Sequence, residues 1–283
     1  GGKEILKNFC YNAFTFSLVK IIKKGENLFA AQVWNFANYR PWAQHSLRTG
    51  FILQGNTKNE EIVNTDASWK VIKNKSYVLK PIGNQDNVNQ FIVVGPSDNV
   101  EGFNYPWNWE KSTFDDSNWS SAKIIDTGRP KESGTGIDWG LEPRSIPMME
   151  AFYQRFAKIR KTKNIEVESG FLESEKSLVI PANTNAVILL DQEKLTTAYP
   201  ELTVSGGKGA IIQLKYAEAL FDEKGQKGNR NEIEGKEIRG YADQFLPDGG
   251  DNRLFRPLWL RTWRYLQLTV STKDFPITIN DFR

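Results

Sequence analysis

"AIIQLKYAEAL" (residues 210–220) alternates apolar and polar side chains: Ile212, Leu214 and Tyr216 fall on one side, Gln213 and Lys215 on the other. Successive side chains of an extended backbone point to opposite faces, so a period of two marks a strand with one buried face. "LWLRTWRYLQLTV" (258–270) repeats the pattern, with Leu266, Leu268 and Val270 alternating with Gln267 and Thr269. Both predict half-buried antiparallel strands. The "GGKG" run at 206–209 reads as a tight connection between two strands. It lacks the GxxxxGK[ST] frame of a phosphate-cradling loop.

Further strand signals lie on either side. "KSLVIP", "AVILLDQ" and "ELTVSGG" precede the first stretch. Nearer the N-terminus, "LFAAQVW" (28–34), "RTGFILQG" (48–55), "SYVLKPI" (76–82) and "QFIVVG" (90–95) are bounded by Asn, Gly or Pro. Short strands with turn chemistry at such intervals predict an all-β chain of antiparallel β-sandwich or jelly-roll type. "MEAFYQRFAKI" (149–159) puts Phe152, Phe156 and Ile159 on one side and is readable as a short helix or a strand. Between 96 and about 150 the texture turns to Gly, Pro, Ser, Asp and Trp with little periodicity, which predicts long surface loops and an interdomain connection. The expected division is into domains 1–145 and 146–283, the first of them N-terminally truncated.

Composition narrows the chemistry. The 283 residues carry 37 basic and 34 acidic side chains, a balance that argues against a nucleic-acid partner. No apolar run is long enough for a membrane span, and no signal peptide is visible. One cysteine, Cys10, and one histidine, His45, cannot build a Cys/His metal cage, so no metal or cofactor is expected. An oxygen-ligated calcium site is still compatible with the sequence.

His45 lies in "VWNFANYRPWAQHSLRTGF" (33–51), and no GxSxG elbow accompanies it for a Ser-His-Asp hydrolase. It reads as a hydrogen-bonding loop residue and not as a base. In the same stretch Trp34, Phe36 and Phe51 are expected to pack inward. Glycoside hydrolysis needs only two carboxylates, for which Asp115/Asp116, Glu218, Glu232 and Asp243 are available. The nine tryptophans are a stronger signal, since ring faces beside amides suit the C–H faces and hydroxyl rims of sugars. Trp34, Trp69 and Trp263 fit core packing. Asn38, Tyr39, Arg40, Trp42 and Trp107 are the candidate carbohydrate-binding residues, with packing of the same loop against another domain as the alternative.

Two stretches carry a resemblance. The Gly206–Gly209 turn, Tyr216–Leu220, Asn229–Asn231, Asp243–Gly249 and Phe255–Tyr265 resemble, in order and spacing, the β-sandwich that precedes the catalytic barrel of bacterial α-L-rhamnosidases. "LRTWRY" departs from the "HGFRY" of many members. "KKGENLFAAQVWNFANYRPW", "NTDASWK" and "FDDSNWSSAKI" resemble the jelly rolls, similar to galactose-binding modules, that accompany glycosidases.

The resemblance implies a galactose-binding-like jelly roll followed by a rhamnosidase-type sandwich, without the helical toroid that supplies the family's catalytic acids. No catalytic residue is therefore assigned. The implied function is to scaffold that barrel and to bind carbohydrate, rhamnose-containing glycans by resemblance, in an extracytoplasmic setting. A free-standing carbohydrate-binding protein and a small intact glycosidase are the alternatives. Glu218, Arg230 and Asn231 are expected to anchor the loop after Tyr216.

Overall fold

In the computed structural model, Ile212, Leu214 and Tyr216 are buried, while Gln213 and Lys215 keep part of their surface in solvent. The structure describes residues 10–13, 22–36, 39, 49–80, 96–126, 128–130, 140–147 and 150–283. Among these residues the strands are β1 (Cys10–Ala13), β2 (Lys70–Val71), β3 (Tyr77–Lys80), β4 (Ser97–Glu101), β5 (Ser120–Ser121), β6 (Arg129–Pro130), β7 (Gly140–Pro143) and β8 (Lys158–Lys163). The C-terminal half adds β9 (Leu178–Ile180), β10 (Asn185–Ala198), β11 (Leu202–Gly206), β12 (Ile211–Ala217), β13 (Ala242–Leu246), β14 (Arg253–Phe255), β15 (Arg261–Ser271) and β16 (Ile277–Phe282). Short 3₁₀ turns, among them Lys58–Val63 and Gly102–Asn104, are the helical elements of this all-β chain among the described residues.

The chain forms two compact units. The second comprises Phe36–Pro41, Asn74–Trp107 and Phe152–Arg283. Its larger sheet runs β3-β4-β13-β12-β15-β10-β8, and its smaller one β14-β11-β16-β9. Ile188 and Leu190, Ile212 and Leu214, and Leu268 and Val270 come from the larger sheet. They share one core with Ile180, Leu202, Val204, Ile277 and Ile279 of the smaller. Two sheets burying their alternate residues against each other make a β-sandwich.

The Gly206–Gly209 turn carries the chain from one sheet to the other, since β11 and β12 belong to different sheets. Gly206, Gly207 and Gly209 all have positive φ (75°, 70° and 79°), where a side chain is strained. A Cβ on Gly207 would come 2.5 Å from Cδ1 of the core residue Ile277. The glycines thus serve the crossover.

The first unit comprises Gly1–Asn35, Trp42–Lys73 and Asn108–Ala151. Its described strands form a three-stranded parallel ribbon, β1-β7-β6, and an antiparallel pair, β2 with β5. The pair joins two similar turns. The amide of Ser68 donates to Oδ1 of Asp66 at 2.8 Å, and that of Ser117 to Oδ1 of Asp115 at 3.0 Å. Trp69 and Trp119 follow, and Lys70 then pairs with Ser121.

Several expectations are corrected. The boundary is not a single cut at 145: β3 and β4 join the C-terminal strands, because β4 pairs with β13. That pairing is parallel, as are those of β1, β6 and β7. Residues 28–34 and 49–55 form no ladder; Leu53 and Gly55 instead bond to Thr65 and Asn64. The segment readable as helix or strand has no helix over the described residues 150–159, of which Lys158 and Ile159 open β8; Phe152 is exposed while Phe156 is buried. "QFIVVG" lies outside the described residues.

Candidate functional site

Three of the stretches that carry the resemblance meet in one buried place. Tyr216 is the penultimate residue of β12, Asp243 stands in β13 and Arg261 opens β15; β4 adds Asp98. Arg261 Nε donates to Asp243 Oδ2 at 2.8 Å, and its Nη2 donates to Asp243 Oδ1 at 2.8 Å and to Asp98 Oδ2 at 3.1 Å. The Tyr216 hydroxyl donates to Asp243 Oδ2 at 2.8 Å, and the Asp98 amide donates to Asp243 Oδ1 at 2.9 Å. The Leu258 amide gives Asp98 Oδ2 a further bond at 2.7 Å. The ring of Tyr241 lies under the guanidinium, 4.8 Å away.

Two carboxylates share one guanidinium, which leaves an odd negative charge. Burial, reinforced by the charge of Asp243, pushes Asp98 up to about 6 against the pull of Arg261. Asp98 Oδ1 is buried without a hydrogen-bond partner. Burial likewise pushes the Tyr216 phenol well above its ordinary range. A carboxyl group with a raised proton affinity beside a second carboxyl group is one half of the pattern of an acid–base pair. Here, however, Asp98 and Asp243 are 1% and 0% exposed, so no substrate oxygen can reach them. The network joins strands β4, β12, β13 and β15 instead.

The other acidic candidates also stand apart from acid–base geometry. Asp115 accepts its own turn's Ser117 amide, and Glu218 and Glu232 are exposed on the loop that follows β12. Among the described residues no three His, Cys, Asp or Glu side chains gather as a metal site would. No helix there is long and apolar enough to cross a membrane.

The aromatic candidates divide. Asn38, Arg40, Trp42 and His45 lie outside the described residues. Tyr39 is exposed, and its amide bonds back to the carbonyl of the buried Phe36 at 2.9 Å. Trp107 is committed to the sandwich: its Nε1 donates to the Gly102 carbonyl at 2.7 Å, and its ring lies 4.4 Å from Tyr105 and 6.3 Å from Phe245. The Arg253 guanidinium sits 4.6 Å from the same ring, held by both carboxylate oxygens of Asp248. Trp263 is buried, and Trp34 and Trp69 are half-buried. Phe51 lies 6.0 Å from Trp69 but is 47% exposed, so its inward packing is partial.

The loop after Tyr216 is anchored differently from the expectation. Leu220, Ile233 and Ile238 pack on Leu189, Ala217 and Tyr265, on the sheet face away from the main core. Arg230 and Asn231 contribute their carbonyls: Tyr265 donates to the first at 2.6 Å and Arg160 to the second at 3.0 Å. Arg160 also holds Asp191 at 2.8 Å, opposite Arg264 at 3.1 Å. Burial works against the Asp191 carboxylate, yet these bonds and the Glu193 amide keep it below the usual range. Glu218 reaches only Lys227, at 4.0 Å. Backbone anchors leave no trace in residue type, which is why sequence pointed to the side chains.

No protein-family profile matches the chain, and no curated protein matches it in sequence. Solved structures do. The α-L-rhamnosidase of Dictyoglomus thermophilum is matched at 17% identity and a TM-score of 0.39, over 76% of this chain and 20% of the rhamnosidase. The α-L-rhamnosidase of Aspergillus terreus is matched at 17% and 0.38, over 78% of this chain and 21% of the other. The GH78-family rhamnosidase of Bacillus sp. GL1 is matched at 15% and 0.32, over 41% and 12%. The chain thus spans between about an eighth and a fifth of the length of these enzymes.

Proposed function

We propose that this chain is the ancillary β-sandwich region of an α-L-rhamnosidase-like glycoside hydrolase: it supports a separate catalytic domain, contributes to carbohydrate binding and has no hydrolytic centre of its own. One observation carries the reading. Tyr216 and Asp243 of the resembling stretches are spent, together with Arg261 of the departing "LRTWRY", on a sealed network that joins strands, which is the work of a scaffold. A carboxylate that accepts from Arg261, Tyr216 and a backbone amide has no lone pair left for a glycosidic oxygen or a water.

The test is incubation of the purified chain with a chromogenic α-L-rhamnoside, and no turnover is expected. Steady turnover abolished by Glu218→Gln would overturn the reading. Binding is tested by titrating L-rhamnose while following tryptophan fluorescence. A saturable change weakened by Tyr39→Ala is expected. A flat titration removes sugar from the Tyr39 loop.

A further inference from the structure

Strand register aligns one row of side chains across the larger sheet of the second unit. Asn99 on β4 stands opposite Gln244 on β13, which stands opposite Gln213 on β12. Gln213 stands opposite Thr269 on β15, Thr269 opposite Val187 on β10, and Val187 opposite Lys163 on β8. Their chain neighbours Val100, Phe245, Ile212, Leu268 and Ile188 are in the core, so the row faces outward. Strands lie about 4.8 Å apart, which spaces Asn99, Gln244, Gln213 and Thr269 over roughly 14 Å. A second row runs beside it: Lys215 opposite Gln267, Gln267 opposite Leu189, Leu189 opposite Lys161.

These groups are not spent on the protein. Asn99, Gln213 and Gln244 are half-buried, and their amides make no hydrogen bond among the described residues. Gln267 makes only a long contact of 3.4 Å to Thr269. Lys161, Lys163 and Lys215 form no ion pair there either. The carboxylates of the same face are engaged: Asp191 by Arg160 and Arg264, Glu101 by Asn104 at 2.8 Å. The loop packed on Leu189, Ala217 and Tyr265 covers the second row at Leu189 and walls that side, which leaves the Asn99–Gln244–Gln213–Thr269 row as the open one.

We propose that this outer face binds an acidic polysaccharide laid across the strands. A primary amide donates and accepts at once, which matches sugar hydroxyls that do the same. The unpaired lysines supply charge-assisted bonds to carboxylates of the ligand. A nucleic acid would call for more cations and for exposed stacking rings, and a protein partner for an apolar centre; these rows offer neither. The inference rests on the carbohydrate-binding part of the proposed function, and it calls on residues other than Tyr39.

The experiment is gel-retardation and calorimetric titration of the whole chain with polygalacturonate, an uncharged galactan and L-rhamnose. Polygalacturonate should bind, and more weakly as salt is raised. Gln213→Ala with Gln244→Ala should weaken it at least tenfold at unchanged melting temperature, and Tyr39→Ala should leave it intact. Lys161→Glu with Lys163→Glu, on an edge strand, should do the same without touching the sheet interior. Failure to bind polygalacturonate, or binding indifferent to both pairs of substitutions, overturns the assignment. Equal retention of the galactan overturns the acidic ligand. Binding of L-rhamnose lost with Tyr39→Ala, without polygalacturonate binding, sinks this inference and leaves the proposed function standing. Silence of all three sugars sinks the carbohydrate-binding part of both.

Discussion

Arg261 holds Asp243 through two nitrogens, Nε on one carboxylate oxygen and Nη2 on the other, each at 2.8 Å, with both side chains almost fully buried. Bidentate geometry of this kind gives a buried ion pair its best return, because each oxygen gains a donor as it loses water. Removing one partner is costly, since the other is left charged in a medium that cannot solvate it. Arg261→Met should therefore destabilise the sandwich by about 3–5 kcal/mol. Urea denaturation followed by Trp fluorescence measures it. A loss under about 1 kcal/mol would mean that water reaches Asp98 and Asp243.

The pH dependence follows from Asp98. Its folded-state affinity for a proton, near pH 6, exceeds that of the unfolded chain, near 3.8. A carboxyl shifted upward contributes stability that is fully present below the lower value and is lost as pH rises through the upper one. The sandwich should be more stable at pH 5 than at pH 7.5. Below about pH 4 the opposite trend takes over, because Asp191, Asp248 and Asp281 are held below their usual range by arginine partners. Asp98→Asn should flatten the decline between pH 5 and 7.5. If urea midpoints of wild type and variant fall in parallel over that range, Asp98 is not the group responsible.

Carbonyl anchoring predicts an inverted mutational pattern in the loop after β12. Arg230→Ala, which deletes an exposed side chain, should change stability by less than about 0.5 kcal/mol. Tyr265→Phe removes the donor to the Arg230 carbonyl and should cost about 1 kcal/mol. Amide exchange across 218–240 should quicken in Tyr265→Phe and stay unchanged in Arg230→Ala. The reverse order would restore the side-chain anchor.

What could be read from sequence was local. β12 and β15 announce themselves because Ile212, Leu214, Leu268 and Val270 obey the period of two, and Tyr216 lies in the core as that period requires. β4 does not, since Ser97-Asp98-Asn99-Val100-Glu101 reads as a polar loop. Asp98 becomes an interior residue only by meeting Arg261, 163 positions away. The row of Asn99, Gln244, Gln213 and Thr269 was equally hidden: Gln213 and Thr269 were visible as outward residues, but their alignment with Asn99 is set by a parallel pairing that no short-range pattern encodes. The surroundings of Trp107 were hidden for a related reason, as its loop setting concealed Tyr105, Phe245 and Arg253 around the ring.

The placement of β4 in the second unit governs how this protein is made. Asp98 leaves the ribosome 145 residues ahead of Asp243, its neighbour across the β4–β13 ladder. At 5–20 residues per second the wait is roughly 7–30 s. Throughout that interval β4, which pairs with β3 on one side, has no β13 on the other, and residues 108–151 of the other unit are synthesised before it arrives. The sandwich therefore closes late in translation. Until β13 emerges, β4 presents an unpaired strand edge, a template for pairing with another chain, and any pause between β4 and β13 lengthens that exposure.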